Sequence, residues 1–281
     1  KLLISYGMPK LIARLSIHYA DGTTESLVTN TEWKATPSPI TYSSIYGGEN
    51  YDARKEQPGW DRPDFDDRGW SQALAARNPG GELKPEMAHP VRIQKIFVPE
   101  KINEIAGDTF VYDFGQNASG IVQLKAKGNK GQTIKLTPGE LLNGKGYVTQ
   151  RATGGPYFYE YILKGDKEET WQPSFSYYGF RYVQVTGIKP ENLELKFLHT
   201  FNSAPAAGAF SCSNELFNSI NRLIRYAIQS NFQSVLTDCP HREKLGWLEQ
   251  TYLMGSSVHF NYESYHLYRK LVNDMSDAQT S

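Results

Sequence analysis

Asn202 to Gln233 reads NSAPAAGAFSCSNELFNSINRLIRYAIQSNFQ. The stretch begins as a small-residue linker with a proline. From Leu216 its apolar residues recur at helical spacing: Leu216, Phe217, Ile220, Leu223, Ile224, Ala227 and Ile228. Ser213 or Asn214 suits an N-cap, and Glu215 suits the positive end of the first turn. Everything before this point has a different texture. LIARLSIHYADGTTESLVT alternates through Leu11, Ala13, Leu15, Ile17 and Tyr19, then turns at Asp21-Gly22, a strong hairpin signal. IQKIF, TFVYDF, GIVQLKAKG, TIKLTPGELL, YFYEYILKG and FRYVQVTGI are short strand-like runs set apart by Gly, Asn, Asp and Pro, at the spacing of a sandwich. Between them, residues 36–70 read as a long loop. The expected architecture is therefore multidomain: a β-sandwich over 1–90, a second over 91–202, both jelly-roll-like, and a helical segment over 203–281. Further helices are expected over 248–260 and 262–275. The latter would carry Tyr265, Tyr268, Leu271, Val272 and Met275 on one face.

Composition narrows the function classes. Thirty basic residues balance thirty acidic ones, which gives no footprint for nucleic acid or a membrane surface. No apolar run approaches the ~18 residues of a membrane span. The two cysteines, Cys212 and Cys239, cannot form a disulfide framework or a four-ligand zinc site. Eighteen Tyr, thirteen Phe and five Trp suit β-strands, and also flat surfaces that cover the C–H faces of sugars. The opening KLLISYGMPK has no signal-peptide pattern and reads as a strand entered midway, so a truncated N-terminus is expected.

The chemistry concentrates in TDCPHREKLGWLEQ, Thr237 to Gln250. Pro240 and Gly246 put it in a loop between helices. Taken singly, Asp238 reads as a cap, Arg242 and Glu243 as a solvated pair, and Trp247 as a core anchor. Taken together, the run resembles the signature of bacterial α-L-rhamnosidases of glycoside hydrolase family 78, usually close to Asp-Cys-Pro-Gln-Arg-Asp-Glu-Arg-Leu-Gly-Trp. Here His241 replaces the Gln, and the chain is one residue shorter between Arg242 and Leu245. YGGENYDARKEQPGWDRPDFDDRGW resembles that family's N-terminal β-domain. VYDFGQNASGIVQLKAKGNKGQTIKLTPGELL with YYGFRYVQVTG resembles its second sandwich.

The resemblance implies an all-α (α/α)6 barrel, of which the chain holds the first helices. It implies hydrolysis of terminal α-L-rhamnosides with inversion, rhamnose-containing oligosaccharides, polysaccharides or glycosides as partners, and a periplasmic or extracellular setting. No cofactor and no metal are expected, since Cys-Pro-His is not a metal motif at this spacing. Glu243 takes the general acid's place, and the base is expected on chain downstream, leaving this piece inactive alone. Asp238, Arg242 and Trp247 take sugar-binding places. His241 is assigned a hydrogen-bonding or sugar-contact role. Glu249 is a candidate, because Gln250 stands where the family has an Asp. Arg242 is expected to point at Asp238 or the sugar, since a guanidinium paired with the acid would favour its ionised form. Glu49, Asn50 and Asp52 could suit calcium, but Gly-Gly-Glu-Asn reads as turn chemistry. The alternatives are a non-catalytic carbohydrate-binding or scaffold module, and a related helical-barrel glycosidase for another sugar.

Overall fold

The computed structural model describes residues 9–77, 80, 82–165 and 167–279. The chain divides into two compact units. One is formed by residues 4–39 and 55–84. In it β1 (Arg14–His18) and β2 (Thr24–Val28) form the hairpin about Asp21-Gly22, and β3 (Lys34–Ala35) pairs with β6 (Ser71–Gln72). Gly22 takes φ +86, which an L-residue with a Cβ rarely adopts.

The other unit holds Ile40–Arg54 and the chain from Pro85 onward. Its strands are β4 (Ile40–Ser44), β5 (Gly48–Asp52), β7 (Val91–Phe97), β8 (Lys101–Ala106), β9 (Thr109–Ala126) and β10 (Thr133–Gly139). They continue with β11 (Leu141–Leu142), β12 (Val148–Thr149), β13 (Tyr159–Ile162), β14 (Glu169–Trp171), β15 (Tyr178–Thr186) and β16 (Leu193–Asn202). Ten of these share one sheet, whose main path runs β4-β5-β13-β10-β15-β9-β16-β7, with β8 and β14 also on β9. All its pairings are antiparallel except β5 with β13.

β9 is the spine. The runs TFVYDF and GIVQLKAKG read as two strands, but they are one. The intervening GQNAS looks like a turn by composition, and it is an irregularity in the ladder: the register with β15 shifts there, between Asp113 opposite Tyr182 and Ala118 opposite Phe180, after which Ala118, Ser119 and Gly120 pair with β15 again. Asp113 Oδ1 accepts the Gly115 N–H at 2.8 Å and Gly115 takes φ +73, so the chain bends without leaving the sheet. β9 changes partners along its length, β8 and β15 first and β16 and β14 later, as a strand shared between two layers does. Phe110, Tyr112, Phe114, Val122, Leu124 and Ala126 alternate into the core. Tyr157, Tyr159, Tyr161, Phe180 and Phe197 meet them there, all fully buried.

Part of the expected loop at 36–70 is also sheet. Gly47 and Gly48 make the turn between β4 and β5, with the Gly47 N–H donating to Ser44 O at 3.1 Å. A Cβ at Gly48 would collide with the Phe158 carbonyl. Glu49 is buried and accepts the N–H groups of Ser174 and Phe175 at 3.2 Å, while Asp52 pairs with Arg54 at 2.8 Å. These carboxylates are engaged within the fold. Segment 40–54, read by sequence with the first block, thus adds its two strands to the large sheet.

Among the described residues four α-helices follow: α1 (Glu215–Asn231), α2 (Leu248–Leu253), α3 (Gly255–Asn261) and α4 (Tyr265–Ala278). Asn214 caps α1, its side chain accepting the Leu216 N–H at 3.0 Å. The helix expected over 248–260 is two, broken at Met254 beside Gly255, a poor helix former. Ile228, Phe232, Leu236, Val258, Tyr262, Leu267 and Leu271 form a second core with Phe201 of β16. The first half of the α1 stripe stays open: Leu216, Phe217, Ile220, Leu223 and Ile224 are exposed. Among the described residues, no helix is long and apolar enough to cross a membrane.

Candidate active site

The acid-rich loop joins α1 to α2. Asp238 closes it into a ring: its N–H donates to Leu245 O at 3.0 Å, and its Oδ1 accepts the Leu245 N–H at 3.1 Å. Inside the ring, the Glu243 N–H donates to Cys239 Sγ at 3.4 Å. One carboxylate oxygen each of Asp238 and Glu243, and Cys239 Sγ, lie within 4.8 Å of one another. Burial pushes the Asp238 carboxyl up, but the backbone N–H groups of Leu245 and Cys239 and a hydrogen bond with Glu243 outweigh it. Asp238 is therefore held below the ordinary carboxylate range.

Arg242 does not do what the sequence suggested. Its Nε stands 3.3 Å from Glu243 Oε1, with both side chains well exposed. Neighbours on an open loop meet at little cost, and such a solvated pair is worth about 0–1 kcal/mol.

His241 turns inward. Its Nδ1 accepts the Arg242 N–H at 3.0 Å, so the ring proton sits on Nε2, which lies 3.5 Å from Glu140 Oε2. Burial pushes the Glu140 carboxyl up, yet the bonds from His241 and from Asn117, 3.0 Å away, leave it below its ordinary value. Trp247 starts α2 with its ring half exposed, and its carbonyl accepts the Thr251 N–H at 3.1 Å. Glu249 is exposed in the first turn of α2. The loop thus brings Asp238, Arg242 and Glu243 together. His241 is directed to Glu140 instead.

Four residues of this site were not singled out in the sequence. Lys244 takes φ +55, the one described non-glycine residue with a positive φ. Its side chain is buried, and Nζ donates to Ile45 O and to Tyr177 O. Nζ also stands 5.0, 4.6 and 5.7 Å from the ring centroids of Tyr157, Tyr177 and Tyr178. Burial pushes its pKa down to about 7, with Cys239 acting the other way. Tyr46 donates its hydroxyl to Glu243 O at 2.7 Å. Glu140 and Tyr177 complete the set. Lys244 lies inside the motif and was legible as a charge. Tyr46 carries no local signal, being 197 residues from its acceptor. On the sheet side, Gly179 donates its N–H to Pro240 O at 3.0 Å. A Cβ there would fall 2.6 Å from Pro240 Cγ.

The chain is thus a β-rich body followed by a helical segment, with two neighbouring carboxyls on the first interhelical loop. Family models assign the order directly. Residues 2–95 match the α-L-rhamnosidase N-terminal domain and 103–202 the bacterial α-L-rhamnosidase concanavalin-like domain. Residues 205–281 match the bacterial α-L-rhamnosidase 6 hairpin glycosidase domain. The chain belongs to the bacterial α-L-rhamnosidase family. It is 38% identical over 280 residues to an α-L-rhamnosidase of Streptomyces avermitilis and 34% identical over 280 residues to one of Formosa agariphila, each alignment covering 97% of this chain. The chain spans 27% and 29% of the lengths of those two relatives. Among solved structures, the α-L-rhamnosidase from Dictyoglumus thermophilum superposes with TM-score 0.93 at 37% identity, over 98% of this chain and 32% of that one. The Streptomyces avermitilis α-L-rhamnosidase complexed with L-rhamnose gives TM-score 0.90 at 36% identity, over 96% and 27%.

Proposed function

We propose that the protein carrying this chain hydrolyses terminal α-L-rhamnosides with inversion, and that Glu243 is its general acid. The observation that carries the reading is the contact between the Asp238 and Glu243 carboxyls, whose oxygens lie within 4.8 Å on one loop. Asp238 is held below the ordinary carboxylate range, and we assign to Glu243 the delivery of the proton to the departing glycosidic oxygen. An inverting pair needs carboxyls about 6.5–9.5 Å apart, with room for water. Asp238 is too close for that task, so we assign it to sugar binding. The base then belongs to the part of the relatives' length that this chain does not span.

In this reading Trp247 offers an aromatic wall to the sugar, and Arg242 leaves its exposed pairing with Glu243 to meet the substrate. His241 supports the loop through Glu140, and Glu249 stands at the rim. The substrate is a rhamnose-containing oligosaccharide, polysaccharide or glycoside, and the chemistry calls for no cofactor. We also propose the division 1–90, 91–202 and 203–281, with the β4–β5 hairpin lent to the second domain's sheet.

The test is hydrolysis of an aryl α-L-rhamnoside and of a rhamnosyl disaccharide by the gene product at its full natural length. Glu243→Gln is expected to lower turnover of the disaccharide by about 10²–10⁴-fold, the range of general acid catalysis, and turnover of the aryl substrate by less. Glu249→Gln serves as the control. Equal activity of Glu243→Gln and wild type on the disaccharide would remove Glu243 from the mechanism.

A further inference from the structure

The loop bearing Glu243 is already closed by the Asp238–Leu245 ring and tied at its start by Pro240 to Gly179. Two further contacts fall on the residues flanking the acid's position in the chain. Tyr46 takes hold of the carbonyl of Glu243 itself. Lys244, the next residue, is turned inward by its left-handed backbone, a conformation unfavourable to a residue with a Cβ. Its amine stands over the rings of Tyr157, Tyr177 and Tyr178 and bridges two carbonyls from separate parts of the sheet unit. Those carbonyls are Ile45 O, in the β4–β5 turn, and Tyr177 O, just before β15. A loop that needed only to be closed has no use for this. The buried amine instead fixes the backbone next to Glu243 to two carbonyls of the sheet unit.

We infer that Lys244 and Tyr46 are positioning residues that fix the Glu243 carboxyl by anchoring its flanking backbone to the β4–β5 turn and to Tyr177. The inference rests on Glu243 being the general acid. It makes the second β-domain a working part of the catalytic site. Neither residue contacts the bond that breaks. Each acts through the aim of the acid, and displacement of a reacting group by about 1 Å can cost about 10²-fold in rate.

The experiment uses the full natural-length protein with Lys244→Met, Lys244→Arg, Tyr46→Phe and, as reference, Glu243→Gln. Each is assayed on α-L-rhamnosides with an activated aryl leaving group and with a sugar leaving group. A misaimed acid hurts the poor leaving group most. Lys244→Met is expected to lower kcat about 10²-fold on the sugar leaving group and less than about 10-fold on the aryl one, with KM within about twofold. Tyr46→Phe is expected to show the same bias at about 10-fold, and Lys244→Arg to recover part of the loss. If Lys244→Met does not fold, Tyr46→Phe decides, since it deletes one hydroxyl. Unchanged kcat in a folded variant, or equal loss on both leaving groups, overturns the inference. Absence of leaving-group bias in Glu243→Gln itself instead overturns the reading of Glu243, whatever Lys244 does.

Discussion

Asp238 has two roles that substitutions can separate. Its Oδ1 closes the loop through the Leu245 N–H, and its negative charge faces Glu243. Asp238→Asn keeps an acceptor for Leu245 and loses the charge. Asp238→Ala loses both, and with them a hydrogen bond on an exposed part of the loop, worth about 0.5–1.5 kcal/mol. Thermal unfolding should show Asn close to wild type and Ala below it, while both lose rhamnoside turnover. If Asn is as unstable as Ala, the charge rather than the acceptor holds the ring. Arg242 shows the limit of reading a motif residue by residue. Its charge and place were plain in the sequence, but its partner was set by an open loop geometry that a motif does not encode.

At the level of elements, the loop and the sheet fit because Gly179 has no side chain. Pro240 packs where a Cβ would stand, and a proline ring yields little. Gly179→Ala should cost about 1–3 kcal/mol, the usual penalty for overpacking, and lower activity with it. Chemical denaturation checks this, and an unchanged midpoint would mean that the loop can retreat at no cost. Period-two alternation made the strand runs legible, and a 3.6-residue period made α1 legible, cap included. What escaped was continuity. GQNAS has the composition of a turn, but it is a shift of register within one strand, and Ala118 and Ser119 pair with β15 again. Gly-Gly-Glu-Asn was legible as a turn, but nothing local says that its hairpin pairs with β13, more than a hundred residues on. Glu243, Asp238 and Trp247 were legible as candidates because they share one motif. Tyr46, Glu140 and Tyr177 were not, because they reach the loop from distant strands or turns.

For the molecule as a whole, Lys244 makes a pH signature. Its pKa falls from 10.5 to about 7 on folding, so between those values the unfolded chain binds the extra proton. Stability therefore rises with pH across that window, by up to about 1.4 kcal/mol per unit. Burial acts oppositely on the tyrosines: Tyr112, Tyr177 and Tyr178 are pushed up to about 12. Above about pH 10 the unfolded chain gives up phenolic protons first and stability falls again. Denaturation of wild type between pH 7 and 9.5 should show the rise, and Lys244→Met should flatten it. A parallel slope in both would assign it to other groups.

The clamp on the loop also sets an order in time. Ile45 and Lys244 stand 199 residues apart in the chain. At a synthesis rate of about 5–20 residues per second, the turn that receives Lys244 leaves the ribosome about 10–40 s before its lysine does. Throughout that interval the β4–β5 hairpin must wait, first for the parallel strand that flanks it and then for the amine that locks it. The part of the site made earliest is thus the last to be finished, and the nascent chain has to keep an unfilled aromatic socket from being taken by anything else.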